Sequence, residues 1–197
     1  MIENINISQS EFNKYRFDKA ELLNILDRTI NFIRSCDNKS SAILGFIGII
    51  LAIFFSNDGI ENLFNAIRLF TSSELYIVYI CLLCISFILF IFGIIFLVFV
   101  LLARTDNSKY KQIGLKEDSV LFFETVVNRN YLLYKKKLLS INNIDYEDDI
   151  ISQIYINSKI CQTKYRDYRI GFIFVIIGLI SFIYILSLGI FLYNLFY

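Results

Sequence analysis

Three stretches of this chain run without charge for long enough to cross a bilayer. Residues 75–103 and 170–197 contain no Asp, Glu, Lys or Arg. A hydrocarbon core about 30 Å thick needs roughly 20 apolar helical residues, so both runs predict transmembrane helices. A third run over 40–57, SSAILGFIGIILAIFFSN, has polar ends and predicts a span near the lower length limit. A chain of 197 residues with three such runs has too little polar sequence to enclose them as a soluble core. The expected fold class is an all-α integral membrane protein with three transmembrane helices, a cytoplasmic N-terminal helix and a cytoplasmic helical hairpin.

The polar segments also carry helical periodicity. Over 1–39, Ser8 and Glu11 have capping-box spacing, and Phe12, Tyr15, Leu22, Leu26 and Ile33 follow near period 3.6, which predicts an amphipathic helix from about Ser8 to the membrane. Over 58–74, Ile60, Leu63, Phe64, Ile67 and Phe70 share one face, with Asp58, Glu61 and Arg68 elsewhere. That pattern suits a short outer loop, a helix lying in the interface, or packing between the spans it joins. Over 104–169 the sequence predicts a polar loop ending at Gly114 and a helix from Lys116 to Ser140 with Phe123, Val127, Tyr131, Tyr134 and Leu138 on one face. A turn follows in INNIDYEDD, capped at Asn143 or Asp145, and then a helix through Ile150, Ile154, Cys161 and Tyr165 runs without a breaker into the last span.

Charge sets the expected orientation. Six Lys and Arg residues lie at or before Lys39, only Arg68 separates the first two spans, and twelve lie between Arg104 and Arg169. Basic residues near spans stay inside, so the N-terminus and the long connection are expected in the cytoplasm and the C-terminus outside. The first 39 residues are too polar and too long for a signal peptide, and no cleavage is expected.

Composition removes several kinds of chemistry. The chain has no His, so it lacks the usual general base near neutral pH and the commonest zinc ligand. No catalytic residue and no metal site is assigned, and the protein is not read as an enzyme. Cys36 and Cys161 fit a reducing compartment, and Cys81 and Cys84 form a C-x-x-C inside the second span with no second ligand pair near it, so they read as small apolar side chains. No Asp, Glu, Lys or Arg lies within a span, which argues against a pump or coupled transporter. In the first span Ser41, Gly45, Gly48 and Ala52 form a stripe of small residues, suited either to packing within the protomer or to self-association; Gly171 and Gly178 are a weaker instance. Lys135, Lys136 and Lys137 could meet anionic lipid or a nucleotide phosphate, or form a solvated surface. Lys159, Lys164, Arg166 and Arg169, beside Tyr165 and Tyr168, suit either recognition of a small anion or anchoring at the inner interface.

The segment CDNKSSAILGFIGIILAIFF, with Asp37 and Lys39 just before a glycine-containing span, resembles the D-x-K entrance of the transmembrane effectors of Pycsar antiphage systems. The block DSVLFFETVVNRNYLLYKKK, with Phe122 and Phe123, and the stretch DIISQIYINSKICQTKYRDYRIGF, with Gln153, Ser158, Lys159, Lys164 and Arg169, resemble the cytoplasmic helices of that family. The likeness runs from about Phe12 to the end of the chain. The family often has Pro-Arg after the second span, where this chain reads Ala103 and Arg104.

The resemblance implies a membrane-disrupting effector of the bacterial inner membrane, activated by a cyclic nucleotide from a partner cyclase and leading to abortive infection. In Pycsar systems the messenger would be cyclic UMP or cyclic CMP, while related SLATT-type effectors serve other nucleotide-dependent defences. With that implication, Asp37, Lys39, Phe123, Lys164, Tyr165, Arg166 and Arg169 are the candidate ligand contacts, phosphate falling to the cations and the base to an aromatic ring. Ser41, Gly45, Gly48 and Ala52 are the candidate oligomer face. No cofactor beyond that activating ligand is expected, and the partners are the lipid bilayer, the messenger and further copies of the chain, with no nucleic acid. Two other readings are a membrane scaffold that docks a partner protein, and a small channel or transporter subunit.

Overall fold

In a computed structural model the chain is described over residues 17–70, 76–103, 112–116 and 118–196. Among the described residues six helices form: α1 (Lys19–Phe54), α2 (Asn57–Phe70), α3 (Tyr76–Leu101), α4 (Phe123–Val127), α5 (Tyr131–Ser140) and α6 (Asn143–Phe196). No strand occurs among the described residues. Three of these, α1, α3 and α6, are long and apolar enough to cross a membrane. At 1.5 Å per residue α1 is about 54 Å long and α6 about 81 Å, far beyond a hydrocarbon core, so each carries a polar extension in one unbroken helix.

The helix ends explain where sequence expectation and structure part. Phe17 and Asp18 are not helical, and the backbone N–H of Asp18 donates to Glu21 Oε2 at 3.1 Å. A D-x-x-E capping pair therefore starts α1 at Lys19; the Ser8–Glu11 pair, Phe12, Tyr15 and the side chain of Phe70 lie outside the described residues. The helix expected over 116–140 is broken. The Ser119 hydroxyl accepts from the N–H groups of Leu121 and Phe122, Asp149 takes the N–H of Val120, and Asn130 caps α5 through Leu132 N–H. These side chains offer the backbone partners that compete with a helical ladder. Consequently Phe123, Val127, Tyr131 and Leu138 stay exposed, and Tyr134 alone of that face turns inward, its hydroxyl donating to Val120 O. The long helix is capped by Asn142, which accepts from Asp145 N–H at 2.7 Å, rather than by Asn143 or Asp145. Ser56 likewise caps α2 by accepting from Gly59 N–H.

The chain divides into two compact units. The polar unit comprises the described residues up to Phe32 together with 112–161. Leu22, Val120, Ile150, Ile156 and Ile160 are buried there, the ammonium of Lys19 lies 4.3 Å over the Tyr146 ring, and the Tyr155 hydroxyl donates to Gln112 Oε1.

The membrane unit comprises the described residues of 33–103 and 162–197. Its core is Ile47, Phe90, Leu97 and Val175, drawn from α1, α3 and α6. Along α3 the buried positions are Tyr79, Leu83, Ser86, Phe90, Gly93, Leu97 and Val100. That alternation of four and three residues is the seam of coiled-coil packing. Glycine lets α3 and α6 touch backbone to backbone: a Cβ at Gly93 would lie 2.5 Å from Val175 N, and one at Gly178 would lie 2.4 Å from Phe90 N. Close contact of this kind substitutes for the hydrophobic drive that lipid abolishes between helices. Helix α2 packs as well, with Ala66 fully buried and close to Gly189.

Candidate functional site

The borders of the apolar runs hold the ionisable chemistry of the membrane unit. Lys164 lies six residues before the uncharged end of α6 and is 4% exposed. Its ammonium donates to Asp37 Oδ1 at 2.6 Å and to the backbone carbonyl of Val100 at 2.6 Å. Asp37 belongs to α1, and Val100 is the penultimate residue of α3. One cation thus ties all three long helices at one level. The carbonyl it takes is among the last four of α3, which have no partner within their own helix, and a positive charge there also opposes the negative end of the helix dipole. Helical periodicity explains the placement: Lys164, Asp167, Gly171, Val175 and Gly178 follow one another along the buried side of α6.

The other sequence-selected residues are placed differently. Lys39, Arg166 and Arg169 are exposed, and Tyr165 is half-buried. Arg166 makes a surface pair with Asp167 at 3.2 Å. Phe123 belongs to the polar unit, where its ring meets that of Phe122 at a centroid distance of 4.9 Å and remains open to solvent. Asp37 and Lys164 are therefore brought together and satisfy each other, while Lys39, Arg166, Arg169 and the Phe123 ring face solvent.

The small-residue stripe is turned outward. Ser41, Gly45, Gly48 and Ala52 are all exposed, and a Cβ added at Gly45 or Gly48 meets nothing within 4 Å. Of the two uses the sequence allowed, packing within the protomer is not the one found. Gly171 and Gly178, the weaker signal, do that work with Gly93. At the other end of the membrane unit from Lys164 lies a cavity of about 380 Å³ lined by Leu51, Phe54, Leu63, Ile67, Phe87 and Phe182 among others. Its lining is apolar and Cys84 is its most polar side chain, so it suits hydrocarbon and offers nothing to an anion. Cys36 is fully buried, and burial pushes the Cys161 thiol up, which leaves both as weak nucleophiles at neutral pH.

Two features escaped the sequence. The Val100 carbonyl is a backbone group without a residue-type signal. Asp118, in contact with both Arg129 and Lys137, joins residues that the expected 116–140 helix would have kept apart.

The Pycsar effector protein domain family matches residues 21–191, a range that includes all six helices except the two ends. Pycsar effector protein GmPycTM of Gulbenkiania mobilis is 30% identical over 202 residues, covering 98% of this chain and 100% of that protein. No solved structure matches the chain. The match takes in both residues of the Asp37–Lys164 pair and the glycines of the α3–α6 seam, and this chain belongs to the Pycsar effector family.

Proposed function

We propose that the protein is the membrane-acting arm of a bacterial antiphage system. A cyclic nucleotide made by a partner cyclase after infection, cyclic UMP or cyclic CMP, acts on its cytoplasmic helices; the protein then impairs the inner membrane of its own cell, and infection ends with the host. The N-terminus and the polar unit face the cytoplasm and the C-terminus the outside, in keeping with the basic residues around Lys39 and between Arg104 and Arg169. Lys39, Arg166 and Arg169, exposed beside the first and last spans, hold anionic head groups at the inner interface. The open ring of Phe123 is the surface on which a messenger's base stacks.

The observation that carries this reading is the outward stripe. In a unit whose other span glycines are each met by atoms of a neighbouring helix, Gly45 and Gly48 meet nothing, which supports association with further copies through that face. A messenger can drive such assembly only by binding the assembled state better than the resting one, and a change from 1:99 to 99:1 needs about a 10⁴-fold preference. The tie between Asp37 and Lys164 holds the three spans in the resting arrangement until then.

Replacing Gly45 and Gly48 together by leucine leaves the protomer intact, because both side chains enter open space. Messenger-dependent crosslinked oligomers should disappear while the amount of protein in the membrane stays constant. Oligomers at wild-type yield would remove the stripe from the mechanism.

A further inference from the structure

We propose that Arg129 and Lys137 form the seat for the phosphodiester of a cyclic mononucleotide, and that Asp118 occupies this seat when the ligand is absent. The inference rests on the reading above that a cyclic nucleotide is the messenger, and it locates the phosphate in the polar unit.

The two carboxylate oxygens of Asp118 are shared between two cations. Oδ1 meets Arg129 Nη2, Oδ2 meets Lys137 Nζ, and Lys137 also donates to the Asp118 carbonyl at 2.8 Å. A phosphodiester offers the same features, one negative charge spread over two free oxygens, and stronger acceptor geometry for a guanidinium. Access favours exchange. The Asp118 side chain is 67% exposed, whereas Arg129 is 15% and Lys137 28% exposed, so the cations are recessed and the anion that covers them faces water.

The surroundings hold the seat in place and leave capacity unused. The segment that carries Asp118 is pinned on both sides, by Lys116 N–H donating to Ser152 Oγ and by Val120 N–H donating to Asp149 Oδ2 at 2.7 Å. Arg129 Nη1 is buried with no hydrogen-bond partner. Asp149 is fully buried, and its second oxygen, Oδ1, has no donor. A buried donor and a buried acceptor left unmade in one small unit are costly, and native proteins rarely tolerate them. A ligand bearing acidic oxygens supplies the acceptor that Arg129 Nη1 lacks. The Phe122–Phe123 pair follows Asp118 in the chain and adds an exposed aromatic surface. Among Lys135, Lys136 and Lys137, which the sequence could not separate, only Lys137 makes the ion pair.

The sign of one substitution separates a displaceable cover from an ordinary ion pair. Full-length protein in nanodiscs is titrated with radiolabelled 3′,5′-cyclic UMP, CMP, AMP and GMP. Asp118→Asn keeps size and hydrogen bonding but removes the competing charge, and should tighten binding about fivefold, the equivalent of exposed ion pairs no longer competing. Lys137→Gln should weaken it about tenfold or more, through loss of a charge-assisted hydrogen bond. Melting of each variant without nucleotide confirms that it is folded. If the wild type binds a cyclic mononucleotide and both variants bind it with unchanged or jointly weakened affinity, the seat is elsewhere and the messenger reading stands. If the wild type binds none of the four, the messenger reading falls and this site falls with it.

Discussion

Replacing Lys164 by alanine should destabilise the membrane unit by about 3–5 kcal/mol, the range for removing one member of a buried ion pair. Two groups lose their partner at once: the Asp37 carboxylate and the Val100 carbonyl, each 2.6 Å from the ammonium. Asp37 keeps about a third of its side chain exposed (34%), so water recovers part of the loss and the lower end of the range is expected. Lys164→Met keeps the packed stem and removes the charge, and should cost nearly as much if the charge is what matters. Combining it with Asp37→Asn should restore part of the stability, because no bare carboxylate then remains. Thermal unfolding in detergent, followed by helicity, gives the four corners of that cycle. A Lys164→Ala protein that melts with the wild type would show that the tie contributes nothing.

Replacing Gly178 by leucine should be the most damaging single change in the spans. Its Cβ would sit 2.4 Å from Phe90 N and 2.7 Å from Phe90 Cα, and a backbone cannot rotate aside as a side chain can. The two helices must separate along the seam that includes Gly93, Gly171 and Leu97. Overpacking in a tight core costs about 1–3 kcal/mol where side chains can adjust, and more where they cannot. The same Gly→Leu change at Gly48 adds bulk only toward lipid and should leave melting near wild type. Comparison of Gly178→Leu with Gly48→Leu therefore tests the packing with chemistry held fixed; equal melting of the two would contradict the α3–α6 seam.

The long elements were legible because their signal is an absence of charge over a length set by the bilayer. The continuity of α6 was legible too, since nothing between Ile150 and Gly171 breaks a helix. The packing inside the spans was not. Where nearly every residue of α3 is apolar, no polar face marks the exposed side, and only the small residues Ser86 and Gly93 hint at the seam. The same limit left Gly45 and Gly48 open to two uses, and only the neighbours present at Gly178 and missing at Gly45 show that the stripe is not packed within the protomer. The helix expected over 116–140 failed at Ser119 and Asn130, short polar side chains that capture nearby backbone N–H groups. That break brings Asp118 to Arg129 and Lys137. Asp37 and Lys164 were selected from sequence as ligand contacts; their pairing spans a 127-residue separation that no local pattern carries.

Membrane potential and survival, followed in cells that express the protein and are supplied with single cyclic mononucleotides or cyclic dinucleotides, test the central claim most directly. A nucleotide-gated membrane effector predicts rapid depolarisation and loss of viability with one cyclic pyrimidine mononucleotide and a polarised membrane without it. A membrane that stays polarised with every nucleotide, while the inserted protein is present at normal level, would contradict it.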